Sequence, residues 1–448
     1  MKVAKFGGSS VANVTQIQKV GAIIKSDPKR KFIVVSAPGK RNSDDIKVTD
    51  LLLDLGEAYI ANKPYDEQLQ AIITRFKDII IGLDIDLSIL DKIQQSIEHT
   101  LSSDQSNEMK IESLKAIGED GSARVVSAHL NSIGMKASYV NPEDAGIIVS
   151  NEPGNAQILP ESFPKLYALH DREGILVIPG FFGYTKTGEL MTFSRGGSDI
   201  TGSIVAAGVK AELYENFTDV DSVYTVNPNI VENPKEITTL TFKEMRELSY
   251  AGFSVFHDEA LIPAFKEGIP VCIKNTNNPT ARGTMIVAEK EPTKDCVVGI
   301  ASDDGFCSLY VSKYLMNREL GFGRKLFSIL EEESVSFEHA PSGIDDMSVI
   351  IRQNQLTQEK EAKIIQRIKD ELHPDTVSVD HDLALIMIVG EGMASTVGLA
   401  HKATTALAEA NVNIEMMNQG SSEVSMMFGI RVEGLEKAIQ SLYRVYFE

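Results

Sequence analysis

The sequence predicts an α/β protein in which a largely parallel sheet is sandwiched by helices and is followed by two smaller α+β domains. Two observations lead to this fold class. Over the first two-thirds of the chain, short apolar strands alternate with amphipathic helices, which is the pattern of a parallel sheet covered on both faces. Beyond about residue 297, one unit of strand, helix, strand, strand and helix occurs twice at a constant offset.

The order of the elements follows from the apolar runs and from the glycines that close several helices. Strands are predicted at residues 2–6, 32–37, 146–149, 175–179, 211–214 and 271–273. Helices are predicted from Lys47 to Tyr59, Asn107 to Asn131, Asp199 to Gly208 and His257 to Lys266. The first domain then covers residues 1–296 and the paired domains cover 297–448, with repeat units of about 304–380 and 381–448.

The repeat in the second part is visible residue by residue. Gly321 matches Gly398 (398 − 321 = 77), and residues 335–338 match residues 412–415 at the same offset. In the last helix of each copy the spacing predicts one apolar face, formed by Ile365, Ile368 and Leu372 and by Ile439, Leu442 and Val445. Each copy is expected to form a short antiparallel sheet covered by helices on one face, and a purely structural or dimerisation module is the alternative.

The composition indicates a soluble metabolic enzyme. The 63 acidic against 44 basic side chains give a net charge of −19, which disfavours nucleic acid or an anionic membrane as a partner. Three cysteines, Cys272, Cys296 and Cys307, lack the spacing of metal ligands and indicate buried thiols in a reducing compartment. The first strand begins at Lys2 without a leader, and no apolar run approaches the roughly 20 residues that span a bilayer, so we expect a cytoplasmic protein.

The first chemical motif is the turn that follows the first strand, Lys5-Phe6-Gly7-Gly8-Ser9-Ser10. Ile17, Val20 and Ile24 recur at helical spacing after it, so the motif joins a strand to a helix. The glycines allow close backbone approach to phosphate oxygens, and the lysine adds a charge that a phosphoryl group in transfer requires. The motif therefore predicts a phosphate-binding site, and an ordinary tight turn is the alternative.

The second motif is Phe193-Ser194-Arg195-Gly196-Gly197-Ser198-Asp199. The planar guanidinium of Arg195 suits a carboxylate, and the two glycines bring backbone donors close to ligand oxygens. Asp199 begins a predicted helix, where it either caps that helix or holds Lys5 by a charge-assisted hydrogen bond. The motif thus favours an acidic substrate.

Taken in order, several segments give the chain its resemblance to the monofunctional aspartokinases, and the resemblance covers nearly all of it. These segments are residues 5–10, Val34-Val35-Ser36-Ala37, Gly118-Glu119 with Ser122-Ala123, Pro179-Gly180-Phe181, residues 195–199, residues 218–225 and Ile273-Lys274-Asn275-Thr276. The resemblance implies an amino-acid-kinase fold followed by two ferredoxin-like ACT domains. It also implies transfer of the γ-phosphoryl group of ATP to the β-carboxylate of L-aspartate, with Mg²⁺ held largely by phosphate and water and without assigned protein ligands. The chain lacks the spacings of the P-loop and of the dinucleotide fingerprint.

The resemblance also implies roles for individual residues. Lys5 and Asp199 would act in catalysis. The substrate would be bound by Ser36, Thr49, Glu119, Phe181, Arg195, Gly196, Gly197 and Ser198, with Glu119 receiving the substrate ammonium. ATP would be bound by Lys5, Phe6, Gly7, Gly8, Ser9, Thr218, Asp219, Tyr224 and Lys274. From the residues alone, Glu119 is equally consistent with a solvated helix charge, Ser36 and Thr49 with caps, and Asp219 with a turn.

For the ACT domains the resemblance implies feedback inhibition by lysine, threonine or both. The implied effector contacts are Met316, Gly321, Phe322, Ser336, Glu338 and Asp346. Core packing is the alternative for Met316 and Phe322, and a solvated strand position is the alternative for Glu338. Because ACT sheets pair at their edges, we expect a homodimer or a dimer of dimers.

The chain departs from the family pattern at three positions. Asn229 and Ser254 stand where the family commonly has a cation near the nucleotide, and Ser194 replaces a glycine. These departures leave two other functions open. One is a kinase of the same fold acting on glutamate, acetylglutamate or UMP, and the other is an amino-acid sensor that has lost the chemistry.

Overall fold

The computed structural model describes residues 1–253, 259–291, 296–420 and 424–448 of the chain. The chain divides into two compact units. The first comprises Met1–Val223, Glu236–Arg246 and Ser254–Glu291, and the second comprises Tyr224–Lys235, Glu247–Phe253 and Pro292–Glu448. Two short segments from within the first two-thirds of the chain thus belong to the second unit. The domain boundary after residue 296 stays a prediction.

The first part of the chain contains a large sheet and several shorter strands. The strands of this part are β1 (Lys2–Phe6), β2 (Arg30–Val35), β3 (Ala137–Tyr139), β4 (Ile175–Pro179), β5 (Phe182–Tyr184), β6 (Leu190–Thr192), β7 (Leu213–Thr218), β8 (Val223–Tyr224), β9 (Glu236–Ile237), β10 (Thr239–Thr241), β11 (Val271–Asn275) and β12 (Thr284–Val287). Eight of them form one sheet in the order β10-β12-β11-β7-β1-β2-β4-β3. Every neighbouring pair is parallel except β11 with β12, which confirms the predicted largely parallel sheet.

Helices pack on both faces of this sheet. The helices of this part of the chain are α1 (Val14–Ser26), α2 (Val48–Ile60), α3 (Asp66–Gly82), α4 (Ser88–Ser102), α5 (Asn107–Ser132), α6 (Pro142–Ala145), α7 (Ser162–Ala168), α8 (Gly197–Gly208), α9 (Phe242–Tyr250) and α10 (Ile262–Lys266). Ala4 and Phe6 of β1 pack in one core with apolar residues of α1 to α5. Because side chains alternate along a strand, Lys5 faces the opposite side, where α8 packs against β1, β2 and β7.

Several predicted elements differ from those observed. Residues 146–149 form only isolated bridges, at Ile148 and Val149, and the short β3 takes the outer place in the sheet instead. The motif after β1 continues into a 3₁₀ turn, and α1 begins only at Val14, where the side chain of Asn13 caps it by accepting from the Gln16 N–H at 3.0 Å. Helices α3 and α4 were not predicted, and residues 257 and 258 of the last predicted helix lie outside the described residues.

The second unit contains one antiparallel sheet. Its strands are β13 (Gly299–Ser312), β14 (Asp346–Arg352), β15 (Thr376–Val389), β16 (Met416–Asn418) and β17 (Ser425–Arg431), in the order β14-β13-β15-β17-β16. Its helices are α11 (Phe322–Glu332), α12 (Gln358–Leu372), α13 (Leu399–Glu409) and α14 (Leu435–Phe447). β13 and β15, each 14 residues long, pair with one another along both repeats, so the two copies share a single sheet.

The two predicted repeat units share features of backbone geometry, although the strand expected between α11 and β14 is present only as isolated bridges at His339 and Ser342. Gly321 and Gly398 precede α11 and α13 with φ angles of +80° and +89°. Each copy has its own buried cluster, one around Leu309, Leu326 and Ile368 and the other around Ile386, Leu407 and Leu442.

The predicted apolar faces of the last helices need two corrections. Ile364, rather than Ile365, is buried with Ile368 and Leu372 in α12. In α14, Val445 is 40% exposed, while Ala438 and Phe447 join the core. The helical period alone does not fix the rotation of a helix to within one residue, which explains both errors.

The three cysteines are free thiols. Cys272 and Cys307 are buried as predicted, whereas Cys296 is only partly buried. Within the described ranges, no helix is both long enough and apolar enough to cross a membrane.

Replacing Gly321 by alanine should destabilise the protein by about 1 kcal/mol, because a positive φ angle strains any residue with a Cβ atom. Gly323, in the first turn of α11, is the matched control: an added Cβ would lie 3.9 Å from the Phe327 ring, so Gly323→Ala should be neutral or stabilising. Urea denaturation of the full chain measures both free energies of unfolding. Equal shifts for the two variants would contradict the assignment.

Candidate active site

The candidate active site is a cleft at the carboxyl ends of the central parallel strands, with a volume of about 860 Å³. Most of the predicted site residues line it. They are Lys5, Gly7, Gly8, Ser9, Ser36, Thr49, Glu119, Phe181, Arg195, Gly196, Gly197, Ser198, Asp199, Thr218 and Asp219. Residues separated by more than 200 positions in the sequence therefore share one cavity.

Lys5 is fixed by Asp199. The Lys5 Nζ atom lies 2.5 Å from Asp199 Oδ1, and both residues are largely shielded from solvent. Asn216, which is opposite Lys5 in the register of β1 and β7, donates from Nδ2 to the same oxygen at 2.6 Å. Asp199 thus holds the lysine and is not the N-cap of α8, which is Gly196, and the ammonium of Lys5 is oriented at the edge of the cleft.

The glycine turn after β1 packs tightly against a second loop. The Gly7 N–H donates to the Phe217 carbonyl at 3.0 Å, and the Gly39 N–H donates to the Gly8 carbonyl at 2.9 Å. A Cβ atom on Gly39 would lie 2.7 Å from the carbonyl carbon of Gly8. Only glycine fits at this crossing, so the glycine turn has backbone on both sides.

Glu119 lies on α5 and is buried at the base of the cleft. Its Oε2 atom has no hydrogen-bond partner among the described residues. Burial raises the pKa of Glu119 to about 8, and hydrogen bonding from the backbone of Ala37 and the charge of Lys5 offset only part of this effect. A buried carboxyl group with a free oxygen is suited to receive a cation, such as the ammonium of an amino acid.

The segment before α8 presents an unpaired cation. Arg195 is exposed and makes no ion pair or hydrogen bond in the part of the chain that the structure describes. Phe181, which faces this segment, has a φ angle of +78°, a strained value for an aromatic residue, and its N–H donates to Thr201 Oγ1 at 2.9 Å. Phe181 also packs so closely on Gly197 that a Cβ there would lie 2.6 Å from its ring. Strain at such a position is typical of a binding site.

Three predicted nucleotide residues do not line the cleft. The Phe6 ring is fully buried and stacks on Phe217 with centroids 4.8 Å apart. Lys274 lies half-buried on β11, and Tyr224 belongs to the second unit. Ser254 lies outside the described residues. The nucleotide roles of Phe6, Tyr224 and Lys274 stay predictions.

The cleft also contains cations and an amide that the sequence analysis missed, namely Lys40, Lys47, Lys115 and Asn216. Lys115 precedes Glu119 by one helical turn, so helical spacing was a signal that could have found it. Lys40 and Lys47 lie at the two ends of a loop. Arg75 holds this loop by pairing with Asp45 at 2.7 Å, a contact that the sequence does not reveal.

The residues predicted to bind an effector lie in the second unit. Met316 and Phe322 are buried beside the start of α11. Ser336 donates from Oγ to Gln355 at 3.0 Å, and Glu338 pairs with Arg352 at 3.4 Å and accepts a hydrogen bond from Tyr250. Asp346 begins β14. Their role in effector binding stays a prediction.

No group of three or more His, Cys, Asp or Glu side chains that could hold a metal ion occurs among the residues that the structure describes. A Mg²⁺ ion held mainly by phosphate oxygens and water would not need such a group.

Comparison with known proteins agrees with this geometry. A family model described as the amino acid kinase family matches residues 1–275, and a model described as an ACT domain matches residues 386–446. The first match defines the class of protein: a kinase of the amino acid kinase fold.

Aspartokinase 3 of Bacillus subtilis is 57% identical over 448 residues, which cover 100% of this chain and 99% of that protein. The crystal structure of the aspartate kinase of Clostridium acetobutylicum, an allosteric enzyme, is 39% identical, has a TM-score of 0.89 and covers 100% of both chains. The chain belongs to the aspartokinase family, and it is an ATP-dependent kinase of aspartate. Aspartokinase III of E. coli, solved with aspartate and ADP, shares the fold, with a TM-score of 0.81 at 24% identity over 100% of both chains.

Replacing Glu119 by glutamine should change how stability depends on pH. The pKa of the carboxyl group rises from 4.5 to about 8 on folding, so its contribution to stability is complete below pH 4.5 and is lost as the pH rises through 8. Glu119→Gln should therefore gain about 1 kcal/mol over the wild type for each pH unit between pH 5 and 8. Urea denaturation at several pH values measures the difference, and a difference that does not change with pH would contradict the raised pKa.

Proposed function

We propose that this chain transfers the γ-phosphoryl group of ATP to the β-carboxylate of L-aspartate, giving 4-phospho-L-aspartate and ADP. The observation that carries the proposal is that the Lys5 ammonium, the glycine turn, the free oxygen of Glu119 and the unpaired Arg195 guanidinium open onto one cleft. Phosphate chemistry and amino-acid recognition therefore meet in the same cavity.

The amino acid is bound by groups of matching charge. Glu119 receives the substrate ammonium, and this contact favours the ionised carboxylate in spite of its burial. Arg195 binds a carboxylate through its planar fork of N–H donors. Ser36, Thr49, Phe181, Gly196, Gly197 and Ser198 complete the walls around the substrate. The bound aspartate is thereby held with its β-carboxylate directed at the phosphates.

The phosphoryl transfer requires positioning and charge stabilisation rather than a protein nucleophile. The attacking carboxylate carries no proton, so no general base is required. Lys5, oriented by Asp199, stabilises the charge that spreads over the transferring group, and the turn of Gly7, Gly8 and Ser9 lies against the phosphates. When bound with ATP, Mg²⁺ neutralises phosphate charge. Thr218 and Asp219 line the cleft on the nucleotide side, and Phe6, Tyr224 and Lys274 complete the proposed nucleotide contacts.

Regulation by the second unit is part of the proposal. Lysine, threonine or both bind near Met316, Gly321, Phe322, Ser336, Glu338 and Asp346 and lower the kinase activity, and the chain acts as a homodimer or a dimer of dimers. Glu338 is the proposed partner of the effector ammonium. This contact would replace the present ion pair between Glu338 and Arg352. An effector shifts activity only by its difference in affinity for two states of the protein.

Replacing Lys5 by methionine should lower kcat by about 10²- to 10³-fold, the usual effect of losing a group that stabilises the transition state.

Arg195→Lys should instead raise the KM for aspartate by about tenfold and leave the KM for ATP unchanged, because a lysine cannot make the two parallel hydrogen bonds. A coupled assay of ADP release, with and without aspartate, measures both.

Arg172→Lys, at an arginine outside the cleft, is the control for Arg195. The same assay run with glutamate, acetylglutamate and UMP distinguishes related kinases, and absence of aspartate-dependent ADP release would indicate a sensor. Activity of the Lys5→Met variant within tenfold of the wild type would contradict the role of Lys5.

Lysine titrated to millimolar concentration, alone and with threonine, should lower the rate of ADP release. Glu338→Gln should weaken that inhibition by about tenfold, because the effector ammonium loses a charged partner. Glu371→Gln, at an exposed carboxylate that pairs with Arg367, is the control and should leave inhibition unchanged. A rate that does not respond to either amino acid would overturn the regulatory proposal.

A further inference from the structure

Glu112, one helical turn before Lys115 on α5, is a buried carboxylate with an unusual number of donors. Its oxygens accept hydrogen bonds from the Gly154 N–H at 3.0 Å, the Thr192 N–H at 2.9 Å and the Thr192 hydroxyl at 2.5 Å. The ammonium of Lys115 also pairs with it. Burial alone would raise the pKa of Glu112, but the hydrogen bonds from Lys115 and Thr192 more than offset this and hold the pKa below its usual value. Glu112 is therefore an ionised anchor for three segments.

Each of these segments reaches the active cleft. Gly154 and Lys115 line the cavity directly, and Thr192 ends the strand that leads into Phe193 and Arg195. The side chain of Lys115 is 20% exposed and that of Glu112 only 4%. The lysine thus has its anchor on the buried side and its remaining N–H donors free for a ligand in the cleft.

Lys115 has a second acidic neighbour that it does not bind. Glu119 lies four residues further along α5, a spacing at which a lysine and a glutamate can pair, and both side chains line the cleft. The Oε2 atom of Glu119 nevertheless has no partner, and Lys115 pairs with Glu112. Glu112 therefore keeps Lys115 away from the carboxylate that has to remain free for a substrate ammonium.

The charges of the proposed substrate indicate what Lys115 does. Aspartate presents two carboxylates and one ammonium, and recognition of all three requires two cations and one anion in the cleft. Glu119 supplies the anion and Arg195 one cation, whereas Lys5 is already neutralised by Asp199 and faces the phosphates. Lys40 and Lys47 also line the cleft, but they lie on the loop after β2 and not on the helix that carries Glu119. Lys115 lies one turn from Glu119 on α5, and both side chains line the same cleft.

We propose that Lys115 is a further substrate-binding residue, which binds the aspartate carboxylate not held by Arg195, and that Glu112 is its positioning residue. The inference rests on the proposed function and extends it to a second cation in the amino-acid subsite. Glu112 acts twice: it holds the Lys115 ammonium toward the substrate and it prevents an internal ion pair with Glu119.

Three variants of the full chain test the inference by steady-state kinetics. Lys115→Met should raise the KM for aspartate about tenfold and leave the KM for ATP within about twofold, because one charged hydrogen bond to the amino acid is lost. Lys115→Arg should recover most of the affinity. Lys110→Met is the matched control: this lysine also lies on α5, but it bonds to the Leu101 carbonyl away from the cleft, and its KM values should not change.

A double variant tests the positioning role of Glu112, because a second substitution should reverse the change in the KM for aspartate. Glu112→Gln keeps an acceptor for the Gly154 and Thr192 donors but releases Lys115, which then pairs with Glu119. Its KM for aspartate should rise more than that of Lys115→Met, and adding Lys115→Met to Glu112→Gln should lower it again. If Glu112 had only a structural role, the second substitution would bring no recovery.

The outcomes separate this inference from the proposed function. Aspartate-dependent ADP release by the wild type, together with an unchanged KM for aspartate in Lys115→Met, overturns the role of Lys115 alone. Absence of that activity in the wild type overturns the proposed function. Equal increases of the KM for ATP and for aspartate in folded Lys115→Met, checked by its thermal unfolding, also overturn the assignment to the amino-acid subsite.

Discussion

The ion pair between Lys5 and Asp199 is the contact on which the arrangement of the cleft depends. It joins the end of β1, in the middle of the parallel sheet, to the first turn of α8, and Asn216 on the neighbouring strand holds the same carboxylate oxygen. A buried ammonium without a partner would be very unfavourable, so this pairing also fixes how the helix packs on the sheet. The same contact therefore serves packing and chemistry, and both would be lost together.

Around this pair, the cleft collects groups that cost stability. Glu119 is buried without a partner for one oxygen, and Phe181 has a strained backbone. Buried polar atoms without partners and backbone strain of this kind are concentrated at functional sites. Elsewhere in the first unit the buried pair of Arg30 and Glu215, 2.6 Å apart, is satisfied internally, although Gln16, Ser122 and His129 each keep one buried polar atom without a partner among the described residues.

Much of this could be predicted from the sequence because local patterns carry it. The glycine turn after β1, the segment before α8 and the repeat marked by Gly321 and Gly398 all depend on residue types at short, fixed spacings. Other features depend on contacts between distant segments. The edge strand β3, the sheet shared by both repeats and the partnership of Glu112 with Thr192, 80 positions apart, have no local pattern that predicts them. The rotation of α12 and α14 was also missed, since packing rather than periodicity decides it.

The two long strands of the second unit make its halves depend on one another. β13 and β15 pair in antiparallel register, so the first half of β13 pairs with the second half of β15. A chain cut between these strands would leave an unpaired edge on each, and neither half would keep its full set of backbone partners. We therefore expect the second unit to fold and unfold as one cooperative body.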